Sequence, residues 1–192
     1  MSRFNEGALQ RLRGILAGRP AIEIDAPQYR RAAVLVPLIR DGDEWTILFS
    51  RRSPNLAAHS GQIAFPGGGV EPGETLEAAA VREAEEEVGI HAGSVELIGR
   101  LDDVVTNSGF LVAPFVGVVR ERTEYVLQEL EVEEVFEVPV DALLAPEQPD
   151  VQYVAFRDRR YPAYFYRYDG REIWGLTGRM LKSFLDLVWL AV

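Results

Sequence analysis

Residues 65–90 read FPGGGVEPGETLEAAAVREAEEEVGI, a glycine-rich turn that runs straight into a helical pattern. Thr75 predicts an N-cap, Glu77 complements the helix dipole in the first turn, and Gly89 suits the left-handed position just past the end. Leu76, Ala78, Ala79, Ala80, Val81, Ala84 and Val88 lie between them without a proline. At about 100° per residue, Leu76, Ala80, Ala84 and Val88 drift along one apolar stripe. Glu83 and Glu87 fall beside that stripe and Glu86 just outside it, because offsets of three and four share a face.

Three carboxylates within roughly 6 Å of one another repel by a few kcal/mol per pair at an effective dielectric of about 20. Half-buried against apolar residues, they either protonate or recruit a cation, and hard oxygen ligands with little room suit Mg2+ or Mn2+. The alternative is a solvated acidic face. Arg82 is the only basic residue on this helix, and a solvated face leaves the glycine-rich entry unexplained.

The spacing narrows the choice. Gly68, Glu74, Arg82, Glu83, Glu86, Glu87, Gly89 and Ile90 fall on the pattern G-x5-E-x7-R-E-U-x-E-E-x-G-U, with Ala84 where a larger aliphatic U is usual. The stretch resembles the Nudix box. That resemblance implies an α/β fold, an α/β/α sandwich around a mixed sheet. It also implies an enzyme that cleaves a nucleoside diphosphate linked to another moiety, with Mg2+ or Mn2+ held by Glu83, Glu86 and Glu87. Arg82 would orient these carboxylates by ion pairing, and Glu74 would hold either the loop or a water beyond the metal's own ligands.

A second stretch, residues 48–68, reads LFSRRSPNLAAHSGQIAFPGG. It resembles the pattern LLTxRSx3Rx3Gx3FPGG of the coenzyme A pyrophosphatase branch of the Nudix family. Leu48, Arg52, Ser53, Gly61, Phe65, Pro66, Gly67 and Gly68 match, Phe49 and Ser50 replace the second leucine and the threonine, and Ala57 stands where the pattern has arginine. Any phosphate that arginine serves must find its charge elsewhere here. Arg51, Arg52, Ser53, Gly61, Phe65, Gly67 and Gly68 are the expected substrate-binding residues. Arginine after a strand end and glycine-rich backbone both favour phosphate; the alternative is a surface loop whose arginines serve solubility. His59 reads as a local hydrogen-bonding residue.

Around these stretches, 192 residues with 47% hydrophobic content suffice for one well-buried core, and no repeat divides the chain. One Nudix domain over 1–192 is expected, with an N-terminal helix at 4–18, the box at 68–90 and a C-terminal helix at about 176–190. Ala32–Ile39 and Trp45–Ser50 read as a hairpin about Asp41-Gly42-Asp43. Ser94–Leu101 and Gly109–Val119 read as strands joined by a polar loop, Asp102–Ser108. In EVEEVFEVPVDALL a strand leads into a short helix; Glu131 there either approaches the metal site, as a catalytic residue, or belongs to a solvated loop. Val151–Phe156 and Tyr161–Tyr168 read as aromatic-rich strands whose rings mostly fill the core or brace a sheet. Asp169-Gly170 reads as a turn, and the following IWGLT also resembles the coenzyme A branch.

Cysteine is absent, which removes disulfides, thiolate catalysis and zinc–sulfur sites, and two histidines are too few for a histidine metal cluster. The net charge of −10 argues against nucleic acid as a partner. It also requires local cations for a polyanionic substrate, and Lys182 is the only lysine, so arginine must supply them. No signal peptide or spanning segment is visible, so no membrane partner and a cytoplasmic location are expected. The leading expectation is metal-dependent hydrolysis of coenzyme A, or a derivative, to 4′-phosphopantetheine and adenosine 3′,5′-bisphosphate. A Nudix pyrophosphatase for ADP-ribose or NADH is the alternative, and a Nudix-fold binding module without turnover stands behind it.

Overall fold

The computed structural model describes residues 2–54, 61–122, 124–156 and 159–192. Ala57 and His59 lie outside them, as does the Phe156 side chain. In chain order the elements are α1 (Glu6–Gly18), β1 (Arg30–Asp41), β2 (Glu44–Arg52), β3 (Ile63–Ala64), β4 (Gly67–Gly69) and α2 (Leu76–Val88). After a 3-10 turn at Ala92–Ser94 come β5 (Val95–Arg100), β6 (Val104–Val105), β7 (Phe110–Val119), β8 (Val132–Pro139) and α3 (Val140–Leu143). Then follow β9 (Asp150–Phe156), β10 (Arg159–Tyr168), β11 (Arg171–Ile173) and α4 (Gly175–Ala191).

Strand β1 shows why helices cover both faces of the sheet. Its side chains alternate: Ala32, Val36 and Leu38 join the core that α1 and α4 close with Leu9, Leu12, Phe184 and Val188. Ala33, Leu35 and Ile39 face the other way, against Ala79, Ala80, Ala84 and Val88 of α2. A strand covered on both faces reads as a continuous apolar run, as AAVLVPLI does. The sheet is mixed, since β1 runs parallel to β7 and its other pairings are antiparallel. The fold is therefore the expected α/β sandwich. A separate antiparallel ribbon, β11-β10-β9, precedes α4.

One feature of the register positions the site. Strands β1 and β2 pair only near their turn, from Leu38↔Ile47 to Asp41↔Glu44. Beyond it the outer edges of both are occupied, by β7 along β1 and by β8 along β2. The two strands splay, and residues 63–69 enter the wedge: Ile63 and Ala64 pair with Arg51 and Ser50, and Gly67–Gly69 pair with Val34, Ala33 and Ala32. The Leu35 amide donates to the Pro66 carbonyl between them at 2.9 Å.

Three expectations need correction. The first helix begins at Glu6 because the Asn5 side chain caps it, accepting from the Ala8 amide at 3.2 Å, while Phe4 packs in the core. The loop at 102–108 contains β6, which pairs with β7 through Val104↔Val112. Strand β2 runs through Arg51 and Arg52 instead of ending before them, because β3 and β8 keep both its edges paired. The described aromatics of the ribbon mostly pack as expected: Tyr166 is buried in the core, Tyr164 and Tyr168 pack against it and Phe165 stacks on Trp174, while Tyr153 and Tyr161 are 64% and 46% exposed. Among the described residues no helix is long and apolar enough to cross a membrane.

Thr75 caps α2 through the Ala78 amide, and Gly89 ends it at φ 76°. A Cβ on Gly89 would also stand 2.7 Å from the Val126 amide nitrogen, so backbone packs where a side chain would go. Gly89→Ala is expected to lower stability by more than the roughly 1–2 kcal/mol of the left-handed conformation alone. Urea unfolding would measure this; a loss below about 0.5 kcal/mol would contradict it.

Candidate active site

Helix α2 lays Glu83 and Glu87 against the glycine strand in the wedge. A Cβ on Gly68 would sit 2.5 Å from the Glu83 carboxylate, and one on Gly67 would sit 2.4 Å from the Ala33 carbonyl oxygen. Glycine is there because the backbone must be thin. The Gly67 amide donates to Glu87 Oε2 at 3.1 Å, and Arg52 Nη1 stands 3.8 Å from Glu87 Oε1.

Glu87 is only 3% exposed, and this burial raises its pKa to about 7. Gly67 and Arg52 oppose the rise, while the charges of Glu83 and Glu131 add to it. Burial likewise raises Glu83; Arg82 pulls it back, and Glu86 and Glu131 push it further up.

Arg82 uses every donor it has. Its Nε and Nη2 hold Glu74 at 2.8 and 3.0 Å, and Nη2 also donates to the Gly69 carbonyl at 3.1 Å. Nη1 reaches Glu83 and Glu86, each at 3.0 Å. The Glu74 hydrogen bond is the main reason that Arg82 is held charged and that Glu74 lies below the usual carboxylate range. Glu74 also accepts from the Glu71 amide at 3.0 Å, fixing the turn before α2.

Glu131 enters from the other side. Ser53 donates its amide to the Glu131 carbonyl at 2.8 Å, the Glu131 amide donates to Gln128, and the Gln128 amide donates to the Glu87 carbonyl at 3.1 Å. The loop carrying Glu131 is thus stitched to both β2 and α2.

The structure brings together Glu83, Glu86, Glu87, Arg82, Glu131, Arg52, Ser53, Gly67 and Gly68. It does not bring Phe65, whose ring is 3% exposed and stacked on Phe49 at 5.0 Å; it packs the core instead of meeting a ligand. Nor does it bring Arg51, which β2 turns to the opposite face, where it binds Glu134 at 3.1 Å. Arg51 and Gly61 line a separate cavity of about 430 Å3 with Gln62, Ile63, Arg171 and Trp174. Arg171 and Trp174 follow the Asp169-Gly170 turn, and local sequence carries no signal that they stand beside Arg51.

The donors fit a hard divalent cation. Two carboxylates are withdrawn from water, and neighbouring acids push both further up, Glu86 and Glu131 acting on Glu83 and Glu83 and Glu131 on Glu87, so a positive ion would relieve both burial and repulsion. Among the described residues no three acidic or histidine side chains converge at ligand distance as they lie, Glu86 being turned to Arg82 and 56% exposed.

Residues 29–159 match the NUDIX domain family. The chain is 39% identical over 160 residues to the "Uncharacterized Nudix hydrolase NudL" of Photorhabdus laumondii, covering 83% of this chain and 85% of that one. The Nudix hydrolase RenU of M. smegmatis superposes with a TM-score of 0.51 at 25% identity, covering 60% of this chain and 74% of that chain. A MutT/nudix family protein of Enterococcus faecalis superposes with a TM-score of 0.52 over 94% of this chain and 69% of that one, a likeness of fold alone at 15% identity. The chain belongs to the Nudix family. It is a Nudix pyrophosphatase, an enzyme acting on nucleoside diphosphate derivatives.

The Glu87 shift fixes a sign for pH dependence. A carboxyl with a raised folded-state pKa holds its proton when the unfolded chain has lost it, so its contribution is complete below the ordinary value of 4.5 and lost as pH rises to about 7. The loss is about 3 kcal/mol at 1.36 kcal/mol per pH unit. Carboxylates held below their ordinary range, such as Glu74 and Glu134, lose their contribution only in more acid solution. In chelator, Glu87→Gln should match the parent at pH 4.5 and exceed it by roughly 3 kcal/mol at pH 8. Parallel stability curves in urea would refute the buried-charge assignment.

Proposed function

We propose that the chain hydrolyses the diphosphate bond of coenzyme A or its derivatives, releasing 4′-phosphopantetheine and adenosine 3′,5′-bisphosphate. One observation carries the reading: both sequence signatures close on a single carboxylate. Arg52 and Gly67 of the upstream stretch contact Glu87 of the box, and Ser53 holds the loop of Glu131. The whole of 1–192 is read as one Nudix unit, since α1 and α4 share a core with the central strands.

The obstacle in this reaction is charge, because water must approach an anionic phosphorus while the leaving phosphate gains charge. Glu83 and Glu87 are assigned to hold Mg2+ or Mn2+, with Glu86 joining when it leaves Arg82. A bound ion supplies neutralisation of the diphosphate oxygens and activation of water. Arg52 approaches the diphosphate from the strand side, and Gly67–Gly69 let it lie close to backbone. Arg82 is a positioning residue. Glu131, which no arginine pairs with among the described residues, is assigned as proton acceptor.

Glu87→Gln and Glu83→Gln should each lower kcat at least about a hundredfold with the fold intact, because each removes a negative ligand from a site built on charge. Near-normal turnover at saturating Mg2+ would overturn the metal assignment. Protons and cations compete for Glu87, so activity should rise through about pH 7 at low Mg2+. The midpoint should move to lower pH as Mg2+ is raised; a fixed midpoint would argue against shared occupancy. Substrate identity is tested with coenzyme A, oxidised coenzyme A, ADP-ribose, NADH and diadenosine polyphosphates, products being identified by mass. A preference for ADP-ribose or NADH would replace the substrate while leaving the class.

A further inference from the structure

Arg51 and Arg52 are neighbours on one strand whose side chains serve opposite faces. Arg52 follows Leu48 to the α2 side and meets Glu87, while Arg51 follows Trp45, Ile47 and Phe49 to the α4 side. Consecutive Cα atoms lie only about 3.8 Å apart. The cavity that Arg51 lines is therefore about two arginine side chains from the carboxylate site, across the end of β2.

Its lining is chemically specific. Arg51 and Arg171 share Glu134, one oxygen each, and the Arg171 guanidinium lies 4.6 Å over the Phe136 ring. Arg171 also pairs with Asp169 at 2.9 Å, but its Nε is buried without a hydrogen-bond partner. Glu172 on the rim is drawn off by Arg167 at 2.8 Å. Trp174 leaves 47% of its surface exposed, with its ring stacked on Phe165 at 6.0 Å and 10°. An aromatic braced from behind and open in front is a platform for a planar ring. A volume of about 430 Å3 is in the range that takes a nucleoside. For a chain of net charge −10, two guanidiniums in the cavity wall are the kind of placed cation that a phosphate monoester needs.

We propose that this cavity holds the 3′-phosphoadenosine end of the substrate, with adenine on Trp174 and the 3′-phosphate on Arg51 and Arg171 in place of Glu134. The assignment rests on coenzyme A as substrate. It adds Arg171, Trp174 and Glu134 to the recognition residues and leaves Arg52 to the diphosphate.

Calorimetric titration of the intact chain in chelator tests it, with adenosine 3′,5′-bisphosphate and adenosine 5′-monophosphate as probes. The bisphosphate should bind about tenfold tighter or better. Arg171→Gln should erase that advantage and leave the monophosphate unchanged, whereas Trp174→Ala should weaken both by about fivefold or more. Glu134→Gln frees the arginines and should tighten the bisphosphate several-fold, a gain that a merely structural ion pair cannot give. Equal affinity of the parent for both probes would overturn the proposal. So would an Arg171→Gln variant that loses both alike, or a Glu134→Gln variant with unchanged or weaker bisphosphate binding. Failure to hydrolyse coenzyme A with these binding differences intact would sink the reaction and spare the cavity; hydrolysis with indifferent variants would do the reverse.

Discussion

The arrangement depends on one guanidinium. Arg82 sits among Glu74, Glu83 and Glu86 and the Gly69 carbonyl, and each of its five N–H groups has an acceptor. Without it, the acidic face of α2 would repel itself, and the Gly67–Glu87 hydrogen bond would be left to tie the helix to the glycine strand. Lysine would keep the charge but offers three donors from a single point, so it could not bridge helix, turn and strand together. Because Arg82 satisfies the outer carboxylates, the inner one is left for chemistry. Glu87 has only an amide and a distant arginine against its burial.

That division sets stability against function. A buried carboxylate without a full partner costs the fold free energy, and such strain is retained where a ligand relieves it. The glycines serve the same end. Their backbone fills the wedge between β1 and β2, and its thinness brings Glu83 and Glu87 onto the strand without a side chain between.

Much of this was legible in the sequence because it is local. Thr75, Gly89 and the stripe through Ala80, Ala84 and Val88 follow from helix geometry, and the spacing of Glu83 and Glu87 places both beside that stripe. Ala84, small for its place in the box, is fully buried among Leu35, Ile39, Leu48 and Ile90; the sheet supplies the bulk that the helix omits. The remainder is non-local. That Arg51 and Arg52 part company depends on β3 and β8 pairing β2 to its end, which no window of sequence reveals. The meeting of Arg171 with Glu134 likewise joins the ribbon to a different sheet. Which ribbon aromatics stay exposed, Tyr153 and Tyr161, is equally non-local, because periodicity marks a strand without saying what covers it.

Helix α1 finds its partner far along the chain. Leu9, Leu12 and Leu16 pack with Phe184, Leu185 and Val188, and Arg11 Nε donates to the Ala191 carbonyl at 2.6 Å. On the ribosome, this apolar stripe precedes its partner helix, and its cover is completed only when residues 175–191 emerge. The carboxylate face, formed within residues 30–138, can assemble before that. The nascent chain is then exposed to aggregation on the side away from its chemistry, and the interval is set by the rate of translation.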